Sequence, residues 1–151
     1  MTTCTFASPL GELRLVGDVS ALASLSMNGV PSDPGDAEPF DGIIRQLEAY
    51  FAGELTRFDI RFAEAGTDFQ RRVWAAVDEI PYGTTTTYGA ITERLGLPRE
   101  RVQAVGAAIG ANPLLLVRPC HRVIGADGTM RGYAGGVNRK VRLLTHEGAL
   151  L

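Results

Sequence analysis

Apolar residues in the first third of the chain recur with period two. Thr3-Cys4-Thr5-Phe6-Ala7, Glu12-Leu13-Arg14-Leu15-Val16 and Ala21-Leu22-Ala23-Ser24-Leu25-Ser26-Met27 each alternate as a half-buried strand does. Ser8-Pro9-Leu10-Gly11 reads as a turn, so the segment predicts a small antiparallel sheet. The breaker-rich, acidic stretch 31–41 reads as a loop. The period then changes to that of a helix. Ile43, Ile44, Leu47, Tyr50 and Phe51 share one face of a helix that Asp41 would cap, that runs to about Ala52 and that Gly53 ends.

The second half reads as helices. Thr67 and Gln70 have capping-box spacing, and Phe69, Val73, Val77 and Ile80 line one side of the helix they open, up to Pro81-Tyr82-Gly83. A short helix is expected over Tyr88 to Leu95. A tight turn, Gly96-Leu97-Pro98, leads to a second helix from about Arg99 to Gly110, stopped at Asn112-Pro113. Two short helices joined by a glycine-containing turn make a candidate helix-turn-helix. Residues 104–111 are nearly all small, and each interior glycine costs about 1 kcal/mol relative to alanine. Close helix packing is the common reason for such a run, and close approach of the backbone to DNA is the other. An apolar run, Leu114 to Val117, precedes Pro119-Cys120-His121-Arg122-Val123, and a last helix capped by Asn138 is expected to end near His146-Glu147-Gly148. Gly135-Gly136 before that helix reads as a loop needing free backbone angles more than as a phosphate cradle.

Charge changes this picture. Residues 1–66 hold four basic and ten acidic residues, a net of −6, whereas 67–151 hold eleven basic and seven acidic, a net of +4. A domain boundary is therefore expected after Gly66, giving a sheet-and-helix domain over 1–66 and a helix-turn-helix domain over 67–151. A basic half on a near-neutral chain is what a nucleic-acid binder with an acidic appendage shows, and chance clustering on a solvated surface explains it about as well. With 45% hydrophobic and 21% charged residues over 151 positions, a disordered chain is excluded. No run approaches the roughly 20 apolar residues of a membrane helix. The N-terminus carries no basic-then-apolar leader pattern, so a cytoplasmic setting is expected. Two cysteines, Cys4 and Cys120, make neither a disulfide framework nor a cysteine-rich zinc site.

The candidate chemistry sits at Cys120. A cysteine attacks as the thiolate, which a neighbouring base or cation produces. His121 is adjacent, Arg118 and Arg122 are close in sequence, and Glu147 has the chemistry to orient a histidine. Adjacent side chains point apart, so a bridging water would have to link Cys120 to His121. A bare Cys-His pair is more often an inert buried cysteine. The basic surround and the upstream helix-turn-helix tilt the balance toward function.

These residues, with their companions, resemble the O6-alkylguanine-DNA alkyltransferases (methylated-DNA–protein-cysteine methyltransferases). The string Pro119-Cys120-His121-Arg122-Val123-Ile124 carries the resemblance. Ile80-Pro81-Tyr82-Gly83, Thr87-Tyr88-Gly89, Ala104-Val105-Gly106, Asn112-Pro113, Gly132-Tyr133-Ala134-Gly135-Gly136 and His146-Glu147-Gly148 support it in order and spacing. It covers 67–148 closely and the first 66 residues loosely.

The resemblance implies an α/β chain with a ribonuclease-H-like N-terminal domain and a mostly helical, winged helix-turn-helix-like DNA-binding domain. It implies DNA repair by direct reversal: a damaged base is turned out of the duplex, and Cys120 takes the alkyl group from guanine O6, and by extension from thymine O4, once and irreversibly. No cofactor and no metal are implied. The expected partner is double-stranded DNA containing alkylated guanine, bound by a monomer, with cooperative binding left open. Glu147 would polarise His121, which would take the thiol proton through water. Tyr88 would donate to guanine N3, and Asn112 would act as the hinge between the reading helix and the active-site segment. Tyr133, the backbone of Val123 and Cys120, the Ala134 amide and Lys140 would surround the base. Arg94, Arg101, Gln103, Ala104 and Gly106 would meet DNA. The plain structural readings are a surface charge for Glu147, a core tyrosine for Tyr88, a helix stop for Asn112 and a surface lysine for Lys140.

One position departs from the pattern. Gln103 stands where the family usually has an arginine that fills the space left by the displaced base. The competing readings are a non-enzymatic alkyltransferase-like damage binder, which the presence of Cys120 disfavours, a helix-turn-helix regulator, and a cysteine hydrolase, which the adjacent Cys-His pair fits poorly.

Overall fold

The computed structural model describes residues 1–27, 34–130 and 132–150. They form two compact units, Met1–Glu64 and Ala65–Leu151. No helix among the described residues is long and apolar enough to cross a membrane.

In the first unit the alternating segments become β1 (Thr2–Ser8), β2 (Gly11–Gly17) and β3 (Leu22–Ser26), an antiparallel sheet in the order β1-β2-β3. The register pairs Cys4 with Leu15, Phe6 with Leu13 and Leu15 with Leu25, with an irregularity at Val16/Gly17. Leu13, Leu15 and Leu25 are wholly buried, as period-two alternation requires when one face meets a core. Helix α1 (Asp41–Phe51) adds Leu47 and Tyr50 to that core.

Asp41 does not cap this helix. A 3-10 turn over Glu38–Phe40 runs straight into it, so Asp41 already has helical angles and is its first residue. There its carboxylate still faces the positive end of the helix dipole. Of the acidic loop expected over 31–41, positions 31–33 lie outside the described residues.

In the second unit, Thr67 opens α2 (Asp68–Asp78) with a complete capping box: its hydroxyl accepts from the Gln70 amide at 3.1 Å, and Gln70 Oε1 accepts from the Thr67 amide at 2.9 Å. Val73, Val77 and Ile80 are buried as the helical period predicts, together with Trp74. Next come β4 (Thr86–Thr87) and α3 (Tyr88–Arg94), capped by the Thr87 hydroxyl, which accepts from the Ala90 amide at 3.0 Å. The second helix of the pair is split. Arg99–Arg101 is a 3-10 turn, and α4 begins at Val102 and ends at Gly110.

Helix α4 packs on α2, where Trp74 Nε1 donates to the Ala108 carbonyl at 2.8 Å. Close packing is not what its glycines serve. A Cβ on Gly106 would meet the Tyr88 ring at an ordinary 3.7 Å, and one on Gly110 would meet nothing within 4 Å.

The apolar run at 114–117 forms a buried tight turn with Leu116 at φ 71°, the one described non-glycine residue in the left-handed region. A 3-10 turn over Cys120–Arg122 leads into β5 (Val123–Ile124), which pairs in parallel with β4, Thr86 opposite Val123. Helix α5 spans Val137–His146. Its N-cap position is Gly136 at φ 94°, a conformation open to glycine, so the expected Asn138 cap is instead the second residue of the helix.

Thr67→Ala removes the capping box and is expected to lower stability by about 1 kcal/mol, while Thr67→Ser retains it. Urea unfolding of the two variants checks this. Equal midpoints would contradict it.

Candidate active site

The 3-10 turn is what brings the adjacent residues of the Cys-His-Arg string to separate tasks. Cys120, His121 and Arg122 are all buried; the cysteine meets Asn112, whereas the histidine and the arginine both meet Glu147.

Asn112, at the end of α4, is the hub on the cysteine side. Its Nδ2 donates to Cys120 Sγ at 3.1 Å and to the carbonyls of Leu114 and Arg118, both at 3.3 Å. Its Oδ1 accepts from the Leu114 amide at 3.0 Å. The amide therefore ties the end of the helix to the cysteine turn, which goes beyond a helix stop.

His121 is fully buried, and its Nε2 lies 2.8 Å from Glu147 Oε2. The opposite nitrogen, Nδ1, has no hydrogen-bond partner. Burial pulls the imidazole pKa below its ordinary value, and the hydrogen bond and charge of Glu147 oppose the shift. His121 is thus a neutral base with Nε2–H directed at the carboxylate and the Nδ1 lone pair available.

Glu147 sits just past the end of α5 with its side chain wholly buried, so the surface-charge reading fails. Arg122 pairs with it through Nε to Oε1 at 2.7 Å and Nη2 to Oε2 at 3.1 Å. Arg122 Nη1 also donates to the Ile80 carbonyl at 2.7 Å, and the guanidinium lies 5.6 Å from the Tyr82 ring centre. This two-point fork makes the buried carboxylate tolerable.

Burial raises the Cys120 pKa, and this outweighs the lowering by the Asn112 hydrogen bond, by Lys140, by the cysteine's own backbone and by Arg118. The resting group is the neutral thiol, and the neighbours limit the penalty for ionising it. Lys140 is also not a surface lysine. It is 1% exposed, donates from Nζ to the Val123 carbonyl at 2.6 Å, and burial lowers its pKa to about 8.

Tyr133 is buried, which raises its pKa well above the phenol range, and its hydroxyl takes a hydrogen bond from the backbone of Leu116. Its ring lies edge-on to His121 at 6.3 Å. The strained Leu116 is thereby part of the support of the site, where left-handed backbone costing about 1–3 kcal/mol is typically kept. Tyr88 is half-buried at the start of α3, and its hydroxyl would lie 3.1 Å from a Cβ placed on Gly132. The β4–β5 pairing holds the start of α3 beside the segment that follows Cys120. Ala134 is exposed.

The residues expected to meet DNA lie on the surface of the helix pair. Arg94, Arg101 and Gln103 are exposed, and Ala104 and Gly106 are half-buried. Arg94 is ion-paired with Glu79, and the Arg101 guanidinium lies 5.1 Å from the Phe69 ring centre.

From the sequence, Arg118 and Arg122 are only nearby charge. The arginine next to His121 was visible in the string, but its partner 25 residues away was not.

Comparison with known proteins identifies two matching family models. One, 6-O-methylguanine DNA methyltransferase, DNA binding domain, matches residues 68–149. The other, 6-O-methylguanine DNA methyltransferase, ribonuclease-like domain, matches residues 1–63. The methylated-DNA–protein-cysteine methyltransferase of Mycobacterium bovis is 48% identical over 149 residues, covering 95% of this chain and 90% of that protein. The protein of the same name from Methanosarcina acetivorans is 47% identical over 151 residues, covering 95% and 96%. The crystal structure of Mycobacterium tuberculosis OGT in complex with DNA superposes with a TM-score of 0.88 at 48% identity, covering 97% of this chain and 92% of that one.

Glu147→Gln leaves the Arg122 guanidinium buried without its counter-charge and is expected to cost about 3–5 kcal/mol. Denaturant unfolding measures this. A loss below about 1 kcal/mol, the scale of an exposed pair, would contradict the described network.

Proposed function

The chain belongs to the 6-O-methylguanine DNA methyltransferase family, and on that premise we propose that it repairs O6-alkylated guanine in double-stranded DNA by moving the alkyl group onto Cys120 in a single turnover. The observation that carries this reading is the thiol held by Asn112 beside a neutral histidine whose other nitrogen is fixed on a buried carboxylate.

In the proposed step, Sγ attacks the alkyl carbon and the carbon–O6 bond breaks. The thiol proton passes through a bridging water to His121 Nδ1. The imidazolium formed is stabilised by Glu147, which Arg122 holds in place. The Tyr88 hydroxyl gives its proton to guanine N3, so the base departs neutral; solvent reprotonates the tyrosine and takes up the imidazolium proton, returning His121 to its neutral form. A thioether remains on the protein and guanine is restored. No further group is consumed, because the cysteine is the acceptor.

Tyr133 and the Ala134 amide flank the base in this reading. The Val123 and Cys120 carbonyls accept from its exocyclic amine. Val123 O keeps a lone pair for this while Lys140 occupies the other. O4-alkylthymine is included as a second substrate on the same chemistry.

The DNA-facing surface is the exposed side of α3 and α4, with Arg94, Arg101, Gln103, Ala104 and Gly106. The small size of Ala104 and Gly106 lets the DNA backbone approach closely, and neither Gly106 nor Gly110 is needed for packing. The protein acts as a monomer, and in the cytoplasm. A damage-binding role without chemistry is disfavoured by Cys120 itself. A regulator would bind a preferred sequence and gain no mass.

Incubation with a duplex carrying O6-methylguanine is expected to add one methyl group to the intact protein, mapped to Cys120 and absent in Cys120→Ala. An unchanged mass, with a repair-competent control protein gaining the increment, would reject the proposal. Gln103→Arg is expected to bind the same duplex about fivefold more tightly at matched salt, since a charged donor replaces a neutral one. Equal or weaker binding in a titration would reject that role for position 103.

A further inference from the structure

Arg118 is assigned no part in the chemistry above, yet it is buried two residues before the reacting cysteine. Its guanidinium is clamped from α2. Nε donates to Asp78 Oδ1 at 3.2 Å, and the group lies 4.8 Å from the Trp74 ring centre. From this position Nη1 reaches Asn112 Oδ1 at 3.5 Å, the long end of hydrogen-bonding range.

The two ends of a carboxamide have nearly the same shape, so only their neighbours decide which way round it sits. Here Oδ1 faces two donors, the Leu114 amide and Arg118, while Nδ2 faces the carbonyls of Leu114 and Arg118 and the sulfur of Cys120. Turned over, the amide would set its NH2 group against a cation and present oxygen to the sulfur.

We propose that Arg118 is a positioning residue: clamped by Asp78 and Trp74, its guanidinium holds the Asn112 amide in the orientation that donates to Cys120 Sγ. The proposal rests on Cys120 being the reacting group. Arginine suits the task because its charge persists at every working pH. The other titratable groups acting on the thiol are Lys140 from α5 and Tyr133 from the glycine loop, and Asp78 faces Arg118 itself. Lys140, with a pKa of about 8, loses its charge as the medium turns alkaline and cannot replace Arg118 there.

The test needs no DNA. Iodoacetamide alkylates the ionised thiol: the sulfur–carbon bond forms, iodide leaves, and the thiol proton goes to solvent. Mass mapping of the Cys120 peptide against pH gives the midpoint of that reaction in the intact chain. Arg118→Met keeps an apolar stem over Trp74 and removes the fork. It is expected to move the midpoint up by about one pH unit, roughly tenfold slower alkylation at neutral pH. Arg118→Lys keeps charge without the fork and is expected to fall between the two, or with the methionine variant.

A role limited to packing on Trp74 leaves the midpoint unmoved, and coincident profiles for Arg118→Met and the unaltered protein overturn the proposal. So does an Arg118→Lys profile that coincides with the unaltered protein, since that reduces the residue to a through-space charge. If Arg118→Met does not fold, Asp78→Asn releases the clamp and is expected to shift the midpoint in the same direction, by about half as much. An unmoved midpoint there overturns the proposal equally. A chain that reacts normally with iodoacetamide but takes nothing from an alkylated duplex fails the repair function and leaves this inference standing.

Discussion

A single buried carboxylate organises the second unit. Glu147 accepts from His121 with one oxygen and from Arg122 with both, and its side chain is closed to solvent. Burying such a charge is unfavourable by several kcal/mol unless its lone pairs are filled and an opposite charge is in contact. Both conditions are met by residues of one 3-10 turn. Because Arg122 also holds the Ile80 carbonyl, the pair joins the segment after α2, the cysteine turn and the end of α5. A network of this kind rewards completeness, since each member left alone would be a buried polar group without a partner.

The chemistry follows from that constraint. Burial, helped by the Arg122 charge, keeps the histidine neutral against the pull of Glu147, and its Nδ1 remains the only basic position it can offer. The thiol stays protonated at rest because burial outweighs the nearby cations. Nucleophile and base are thus both uncharged until a substrate arrives, and the proton moves when the sulfur is used. For a group consumed in one reaction, a resting thiol is less open to wasteful oxidation than a standing thiolate.

Much of the fold was legible in the sequence where a local rule applies. Period-two alternation places β1 to β3 within a residue or so, and the Thr67–Gln70 capping box is present as spaced. The helix starts expected at Asp41 and Asn138 differ from those observed for a common reason. Each residue has capping chemistry, but a 3-10 turn in one case and a left-handed glycine in the other begin the helix earlier. The strands β4 and β5 have two residues each, too short for any periodicity to register. At the site, Cys120, His121, Asn112 and Glu147 come together as residues, but their contacts do not follow from spacing. The pairing of Arg122 with Glu147, the clamp on Arg118 and the burial of Lys140 all depend on elements distant in sequence.

The chemistry turns on the state of His121. Nitrogen-15 chemical shifts of its ring, followed through neutral pH, report protonation and tautomer directly. A neutral imidazole is expected, with hydrogen on Nε2 facing Glu147 and an unprotonated Nδ1. A ring protonated on both nitrogens at neutral pH, or one carrying its hydrogen on Nδ1, would contradict it.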